Sequence, residues 1–291
     1  MKNIIETKNL TKYYSRGKVL GIKGVNLKIE KGEVFGFIGP NGAGKSTTIR
    51  LLLDLIRPTS GSAKIFGLDV NEKTTEIKED IGYLPGDIYL PEDMTGMDCI
   101  KYYSGFKKKV SKKYLNELTS RLDLDTKKKV STYSKGNKQK LAIILSMMHQ
   151  PKLLILDEPT TSLDPLNQQA FYDLINDLKD HGTTVFFSTH ILSEADKICQ
   201  RIGIIKDGLL KEVRKIEEFR ESNIRKVIVQ TKDKLPLKEW GIKDYEKIKT
   251  GYKFNISGKN GEILKKLFKY SIEDIKIEEP TLEEIFMHYY E

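Results

Sequence analysis

The hydrophobic pattern of the first two thirds of the chain predicts an α/β core. Residues 34–38 and 153–156 form short runs that are apolar apart from one glycine, which is typical of strands buried on both faces of a parallel sheet. Residues 183–188 predict a further strand. Helical patterns follow the first two runs, at 47–53 and at 165–180, where Asp-Pro marks the helix start.

Other segments differ in the spacing of their apolar positions. Residues 4–33 alternate between apolar and polar positions, which predicts short antiparallel strands. The predicted turns contain three glycines, Gly21, Gly24 and Gly32. Residues 58–61 end the helix that began at 47. Residues 88–150 predict a mostly helical insertion, in which Ser134 caps a helix over 135–149.

The pattern changes again beyond about residue 215. Residues 225–230, 252–256 and 275–277 alternate like strands with one wet face, and a helix is predicted over 261–270. A capping box at 281–284 opens a last helix with one apolar stripe. The stripe packs on this region, or contacts a second protomer or the core. We expect two domains, residues 1–215 and a small α+β domain at 216–291.

A phosphate-binding motif follows the first apolar run. Residues 39–46 match G-x-x-x-x-G-K-[ST], between a predicted strand and a predicted helix. The glycines let backbone N–H groups converge on phosphate oxygens at the positive end of the helix. Lys45 is expected at the β- and γ-phosphates and Ser46 on Mg²⁺. The predicted nucleotide contacts here are Gly39, Asn41, Gly42, Ala43, Gly44, Lys45, Ser46 and Thr47.

Two carboxylates end the second apolar run. Asp157 and Glu158 follow residues 153–156, and ligands of α/β sheets bind at the carboxyl ends of the strands. We expect Asp157 to hold the Mg²⁺ shell through water, and Glu158 to orient or deprotonate the attacking water.

Three further motifs follow in a characteristic order. They are Tyr133-Ser-Lys-Gly-Asn137, Ser162-Leu-Asp164, and His190 after Val185-Phe-Phe-Ser-Thr189. With the phosphate loop and the acidic pair, they make residues 4–215 resemble the ATP-binding subunit of an ABC transporter. The end of the chain, Pro280–His288, resembles the tail of drug- and peptide-exporter ATPases, whose membrane-spanning part is a separate polypeptide.

The resemblance implies a P-loop ATPase cassette with an antiparallel β subdomain and a helical subdomain at about 88–150. It implies that the subunit uses ATP and Mg²⁺, works as a dimer and powers a separate permease. Ser134 and Gly136 are then expected to serve the other protomer's nucleotide, with Asp164 in the dimer loop. His190 is expected to sense the γ-phosphate. Tyr14 takes the adenine-stacking position, with Tyr13 as a rival and a core tyrosine as the alternative.

The sequence departs from the family pattern at two places. In the signature motif, Tyr133, Lys135 and Asn137 replace the usual Leu, Gly and Gln, while the serine and second glycine are retained. At position 86 a glycine stands where the family places a glutamine. Either Asp87 or a backbone carbonyl takes over that contact, or the coupling between nucleotide and membrane partner is looser.

The composition limits the class of protein and its cellular location. The 291 residues are 38% hydrophobic, enough for a core, but the longest apolar runs are far too short to span a bilayer. No apolar signal region opens the chain. Cys99 and Cys199 match no metal spacing, so we expect core or subsurface residues in a reducing compartment. The resulting expectation is a peripheral protein at the cytoplasmic face of the cell membrane.

The net charge of +9 is concentrated in one segment. Residues 105–140 carry 12 Lys and Arg against 3 Asp and Glu, so this segment supplies the whole excess. It lies within the predicted helical subdomain. The alternatives are a solvated helical face, attraction to anionic headgroups or an acidic loop of the partner, and nucleic acid. We disfavour nucleic acid because no aromatic residues interleave with the lysine runs in a stacking pattern.

Two other classes compete with the transporter interpretation. ABC ATPases that act on nucleic acid or ribosomes usually carry two cassettes, a long coiled coil or zinc cysteines, whereas this chain has one cassette, no sustained heptads and two cysteines. A binding module without turnover is disfavoured because Glu158 supplies the required carboxylate. We therefore expect no nucleic-acid partner.

Overall fold

A computed structural model shows two compact units, Met1–Lys215 and Ile216–Glu291. The structure describes residues 2–107, 110–220, 224–242, 245–257 and 261–278. The predicted last helix at 281–290, the tail motif and two of the clustered lysines, Lys108 and Lys109, lie outside the described residues. In the part of the chain that is described, no helix is long and apolar enough to cross a membrane.

The first unit is built from two sheets and the helices that connect their strands. Its described strands are β1 (Asn3–Tyr14), β2 (Val19–Val25), β3 (Lys28–Glu30), β4 (Val34–Ile38), β5 (Ser60–Ile65), β6 (Leu68–Asp69), β7 (Ile81–Leu84), β8 (Leu153–Asp157), β9 (Thr184–Thr189), β10 (Arg201–Lys206) and β11 (Leu209–Lys215). Its described α-helices are α1 (Lys45–Leu52), α2 (Thr74–Glu79), α3 (Gly96–Ser104), α4 (Lys112–Arg121), α5 (Lys135–Met147), α6 (Pro165–Asp180) and α7 (Leu192–Ile198).

The larger sheet has the strand order β11-β10-β4-β9-β8-β7. Its pairs are parallel except for the β10–β11 hairpin at one edge. Every residue of β4, β8 and β9 is buried, which explains the apolar runs at 34–38, 153–156 and 185–187. Because β4, β9 and β8 are parallel neighbours, the loops that follow them emerge at one edge of the sheet.

The smaller sheet is antiparallel. Its order is β2-β1-β5-β6, and β3 also pairs with β1. One hydrophobic core joins this sheet to α1 and to the larger sheet. Phe186 of β9 stacks against Phe35 of β4, with ring centroids 6.1 Å apart, and lies 5.4 Å from Phe37. These rings fix the face of the parallel sheet on which the smaller sheet packs.

Side-chain caps define the helices of the segment between β7 and β8. Thr95 forms a capping box with Asp98 at the start of α3. Ser111 accepts from the Tyr114 backbone N–H at the start of α4, and Ser134 accepts from that of Asn137 at the start of α5. Each cap satisfies a donor that the first helical turn leaves free.

The second unit contains a four-stranded antiparallel sheet in the order β13-β14-β12-β15. Its described elements are α8 (Ile216–Arg220), β12 (Ile224–Thr231), β13 (Tyr245–Ile248), β14 (Gly251–Ser257), α9 (Gly261–Leu267) and β15 (Ile272–Glu278). Val227, Val229 and Phe254 are buried in a core of its own.

The α/β core, the helical character of 88–150 and the three strands predicted beyond residue 215 are confirmed. Three details of the predictions are wrong. Gly21 and Gly24 lie inside β2, where the register against β1 shifts; only Gly32 lies in a turn. β1 is 12 residues long rather than short. Helix α1 ends at Leu52, well before Pro58, because Asp54 adopts a left-handed φ of 51°.

A histidine beside α5 lies in an environment that opposes its charge. His149 Nε2 lies 3.1 Å from the Ile81 carbonyl oxygen, and its Nδ1 is buried without a partner among the described residues. Burial, reinforced by the charge of Lys107, lowers the pKa of His149 to about 4. Protonation would place an N–H⁺ where no acceptor stands.

This depressed pKa predicts a pH dependence of folding. The stabilisation from neutral His149 is fully present above its unfolded pKa of about 6.5 and is lost as the pH falls towards 4. We expect wild type to lose on the order of 1 to 2 kcal/mol more unfolding free energy than His149→Gln between pH 7.5 and 4.5, discounted for residual solvent contact. Chemical unfolding followed by circular dichroism measures this. Fluorescence of Trp240, the sole tryptophan, reports the second unit separately. Parallel pH profiles for the two proteins would contradict the prediction.

Candidate functional site

The loop between β4 and α1 places its backbone in a tight turn at a helix N-terminus. Gly42 and Gly44 adopt φ values of 80° and 109°, which L side chains rarely adopt. A Cβ at Gly39 would lie 2.2 Å from the Ile205 carbonyl oxygen, so only glycine fits there. The first N–H groups of α1 are thereby left facing the loop's concave side, an arrangement that binds anions.

The Lys45 side chain hydrogen-bonds to the backbone of this loop. Its side chain is 5% exposed, and its Nζ donates to the carbonyl oxygens of Gly39 at 2.8 Å and Pro40 at 3.1 Å. The third contact of the ammonium is Glu158 Oε1, at 3.3 Å. All three donors of the ammonium therefore have protein acceptors in the described structure.

The acidic pair lies at the carboxyl end of β8, opposite β9. Asp157 is 5% exposed and pairs in register with Ser188. The Ser188 hydroxyl donates to Asp157 Oδ1 at 2.6 Å and accepts from the Glu158 backbone N–H at 3.3 Å. One buried hydroxyl thus orients the first carboxylate and anchors the backbone of the second.

Glu158 occupies a strained position. Its φ is +50°, in the left-handed region that non-glycine residues seldom adopt. The turn directs its side chain to Lys45 on one side and to His190 on the other, where Oε2 lies 3.3 Å from Nδ1. The structure therefore brings the predicted Lys45, Glu158 and His190 into one chain of contacts.

The predicted metal-binding residues supply only part of the ligand set of a hard cation. Ser46 and Asp157 offer a hydroxyl and a carboxylate, the ligand types that Mg²⁺ prefers. Among the described residues, no cluster of three or more His, Cys, Asp or Glu forms a metal site. These two residues fit a Mg²⁺ ion whose remaining ligands are phosphate oxygens and water, as is usual for a nucleotide-bound cation.

Tyr14 lies beside the phosphate loop. Its hydroxyl is 3.2 Å from Thr47 Oγ1, and its ring would lie 2.8 Å from a Cβ at Gly21. Lys12 Nζ is 5.5 Å from the ring centroid. Of the two candidate tyrosines, Tyr14 therefore contacts a predicted nucleotide-binding residue, whereas the Tyr13 backbone N–H bonds to Thr59 Oγ1.

The signature and dimer-loop residues lie together on the chain's own surface. A Cβ at Gly136 would lie 2.9 Å from the Ser162 carbonyl oxygen. Ser134 caps α5 and Asp164 caps α6, where both carboxylate oxygens bond Asn167. These bonds hold the pKa of Asp164 below its ordinary value. In the described structure, neither Ser134 nor Gly136 hydrogen-bonds to the phosphate loop of the same chain.

The structure shows what surrounds the positions at which this sequence departs from the family pattern. Tyr133 is buried, and its hydroxyl donates to the Asp125 carbonyl oxygen at 2.7 Å, so it anchors the approach to α5. Gly86 faces Asp157, because a Cβ there would lie 3.6 Å from Asp157 Oδ2 without a clash. Burial, together with the charge of Asp157, raises the pKa of nearby Tyr83 to about 12.

Two further residues that support the site were not predicted from the sequence. Ser188 is described above, and Gln139 of α5 donates to the Pro159 carbonyl oxygen at 2.6 Å, which ties the signature helix to the loop after Glu158. The hydroxyl pair Ser188-Thr189, which ends β9, was the available signal for Ser188, since buried hydroxyls need partners. The pattern of apolar and polar positions along α5 does not distinguish Gln139 from the other polar residues of the helix.

An apolar groove lies apart from this site, between β7 and helices α3 and α5. Its volume is about 430 Å³. Tyr89 and Phe106 on its border are 87% and 70% exposed. Exposed aromatic patches of this kind mark interaction surfaces. Lys107 does not join the solvated lysines, because its Nζ turns inward to the Ile81 carbonyl oxygen at 3.1 Å.

Comparison with known proteins gives consistent matches. The family model described as ABC transporter matches residues 22–161. The bacitracin transport ATP-binding protein BcrA of Bacillus licheniformis is 36% identical, over 99% of this chain and 97% of that protein. An uncharacterized ABC transporter ATP-binding protein of Nostoc, all4389, is also 36% identical, over 82% of this chain and 74% of its own length.

A solved structure shares the fold. The ATP-binding cassette MJ0796, in a dimeric post-hydrolysis state bound to ADP and Pi, superposes with a TM-score of 0.67 at 27% identity. The match covers 73% of this chain and 98% of that cassette.

Proposed function

This chain belongs to the ABC transporter family as an ATP-hydrolysing, ATP-binding subunit, and we propose that it powers a separate membrane permease that exports drugs or peptides. One observation supports the proposed residue roles above all. Lys45, Glu158 and His190 form a continuous chain of contacts at the carboxyl edge of the parallel sheet. The export direction is supported by the resemblance of the tail, and the class of cargo also by the bacitracin transport relative.

Nucleotide binding rearranges this chain of contacts in the proposed mechanism. The phosphate loop cradles the phosphates with backbone N–H groups, and the γ-phosphate replaces Glu158 as the partner of Lys45. Glu158 is then free to accept a proton from the attacking water, while His190 contacts the γ-phosphate. Binding of ATP and release of the base are therefore one event.

Three further residues complete the proposed contacts within the chain. Ser46 and Asp157 hold Mg²⁺, which neutralises charge on the phosphates when bound. Tyr14 stacks on the adenine once its hydroxyl leaves Thr47. The opening in front of Gly86 leaves room for water beside Asp157, or for Asp87 to approach.

ATP-binding subunits of this family dimerise, and we propose a homodimer, or a pair with a second cassette subunit. The motif at 134–136 adjoins the dimer loop at 162–164 on one surface, and no hydrogen bond in the described structure ties it to its own phosphate loop. This placement supports a composite site in which Ser134 and Gly136 face the partner's nucleotide at the positive end of α5. Residues 1–215 are then the ATP-binding cassette, and 216–291 an accessory domain.

The groove bordered by Tyr89 and Phe106 is the proposed contact with the permease. Its apolar lining and exposed aromatic rings suit an apolar protein segment. Solvated lysines, Lys112 and Lys113 among them, start α4 on the same helical segment. Attraction between such lysines and anionic headgroups would hold the subunit at the cytoplasmic membrane face. The proposal includes no nucleic-acid partner.

The first test removes the proposed base. Glu158→Gln keeps the shape of the side chain but cannot accept a proton, so ATP should still bind while turnover falls on the order of 100-fold or more. Steady-state hydrolysis and equilibrium nucleotide binding measure the two effects. Glu76→Gln, a change at an exposed position of α2, serves as the control and should leave turnover unchanged. Near-normal hydrolysis by Glu158→Gln would refute the assignment.

The second test addresses the composite site. Lys45→Ala and Ser134→Arg should each be inactive as homodimers, because both sites in each dimer are damaged. A mixed dimer has one intact site, so mixing the two variants should restore part of the activity. Subunit exchange is verified by pulling down one tagged variant with the other. A mixture that exchanges subunits but stays inactive would contradict sharing of the site.

The third test concerns the groove. Replacing Tyr89 and Phe106 by Ser together should leave ATPase activity of the isolated protein within about twofold, since both rings are exposed. Association with membranes that contain the permease should be lost. Phe268→Ser, at a 78% exposed aromatic of the second unit, is the control.

The lysines are tested in the same assay. Lys112→Gln with Lys113→Gln should weaken membrane association most at low salt, because charge attraction is screened at high salt. If the groove variant binds as wild type does, the groove is not the contact. Salt-sensitive binding to RNA but not to membranes would favour the nucleic-acid alternative.

A further inference from the structure

A buried carboxylate in α7 joins two loops of the nucleotide site without lining it. Glu194 is 6% exposed. Its Oε1 accepts a hydrogen bond from Thr160 Oγ1, and its Oε2 accepts one from Thr189 Oγ1, each at 2.5 Å. The two donors come from different segments of the chain, so one side chain joins them.

Both threonines are close in sequence to residues with proposed chemical roles. Thr160 lies two positions after Glu158, in the loop that leaves β8. Thr189 ends β9 immediately before His190, and its hydroxyl also accepts from the Ile191 backbone N–H at 3.0 Å. One carboxylate therefore spans the segment that carries the base and the segment that carries the histidine.

The segment after β8 needs external support. The left-handed φ of +50° at Glu158 is unfavourable by about 1 to 2 kcal/mol and persists only where surrounding contacts impose it. Ser188 holds the residue's backbone N–H, and Gln139 holds the following carbonyl of Pro159. Glu194, through Thr160, supplies a third tie, and like Ser188 it also connects to the segment that carries His190.

The charge of Glu194 argues against a role in packing alone. No salt bridge to this carboxylate is present among the described residues, and burial of an unpaired carboxylate is unfavourable. An apolar residue would fill the space between α7 and β9 at lower energy. A carboxylate, unlike an amide, can accept from both hydroxyls at once.

We propose that Glu194 is a positioning residue for ATP hydrolysis, which holds Glu158 and His190 at a fixed separation through Thr160 and Thr189. The proposal rests on the roles proposed above for Glu158 and His190. Glu194 touches neither nucleotide nor water in this mechanism. Since the phosphate loop belongs to β4 and α1, Glu194 affects the rate of hydrolysis rather than the binding of ATP.

The test separates turnover from binding and from stability. Glu194→Gln should lower kcat about tenfold, because a small displacement of a reacting group has large effects on rate, while KM for ATP stays within about twofold. Its thermal midpoint should stay equal or rise, since a buried charge is removed. The matched control is Glu33→Gln, which breaks a largely buried pair with Arg201 at the other end of β4. That control should lower the midpoint and leave kcat unchanged.

A double variant tests whether Glu194 acts through Glu158. In single-turnover measurements, Glu158→Gln with Glu194→Gln should be no slower than Glu158→Gln alone. Thr160→Val should lower kcat as Glu194→Gln does, and Thr160→Ser, which keeps the hydroxyl, should restore it. This pair keeps the proposal testable if Glu194→Gln folds poorly.

Three results would overturn the proposal. They are wild-type kcat in Glu194→Gln, a raised KM at unchanged kcat, and losses that multiply in the double variant. An active Glu158→Gln protein would instead overturn the proposed base. The two failures are therefore distinguishable.

Discussion

Parallel pairing of β4, β9 and β8 is the constraint on which the nucleotide site depends. The register sets Ile38 beside Thr189, and Ser188 beside Asp157. Three strands distant in sequence therefore end together, and each releases its loop at the same edge of the sheet. Phosphate loop, acidic pair and histidine meet there because their strands share this register. The apolar faces of these strands supply the free energy that holds them together.

The loops at this edge are held in unfavourable conformations by hydrogen bonds from outside them. Glu158 adopts a left-handed φ, and the neighbouring Ser162 does so as well, at 78°. Ser188, Gln139 and Glu194 reach this segment from β9, α5 and α7. Strain supported by buried hydrogen bonds is typical of functional loops, because it fixes reacting groups before the substrate arrives. The tie through Gln139 also links the base loop to the helix that carries the signature motif.

Three side chains of the site are linked by direct contacts. Lys45 contacts Glu158, and Glu158 contacts His190. In the proposed mechanism a triphosphate competes with Glu158 for the Lys45 ammonium, so ATP affinity and readiness for hydrolysis depend on the same carboxylate. The outward-facing motif at 134–136 and the exposed groove leave two surfaces for partners. The proposed function therefore assigns hydrolysis, dimerisation and the membrane partner to separate parts of the first unit.

The sequence alone determined the fold class, the phosphate loop, the acidic pair and the order of the motifs, because burial of parallel strands and backbone approach to phosphate restrict local residue types severely. Caps at Ser134 and Asp164 were also predictable, since they depend on neighbouring residues. The bulged course of β2 and the early end of α1 were not, because register and packing override local preference. Only the tertiary structure showed that Ser188, Gln139 and Glu194 support the site. Their partners in the segment 157–160 lie 20 to 34 residues away, and no local sequence pattern predicts a contact over that distance.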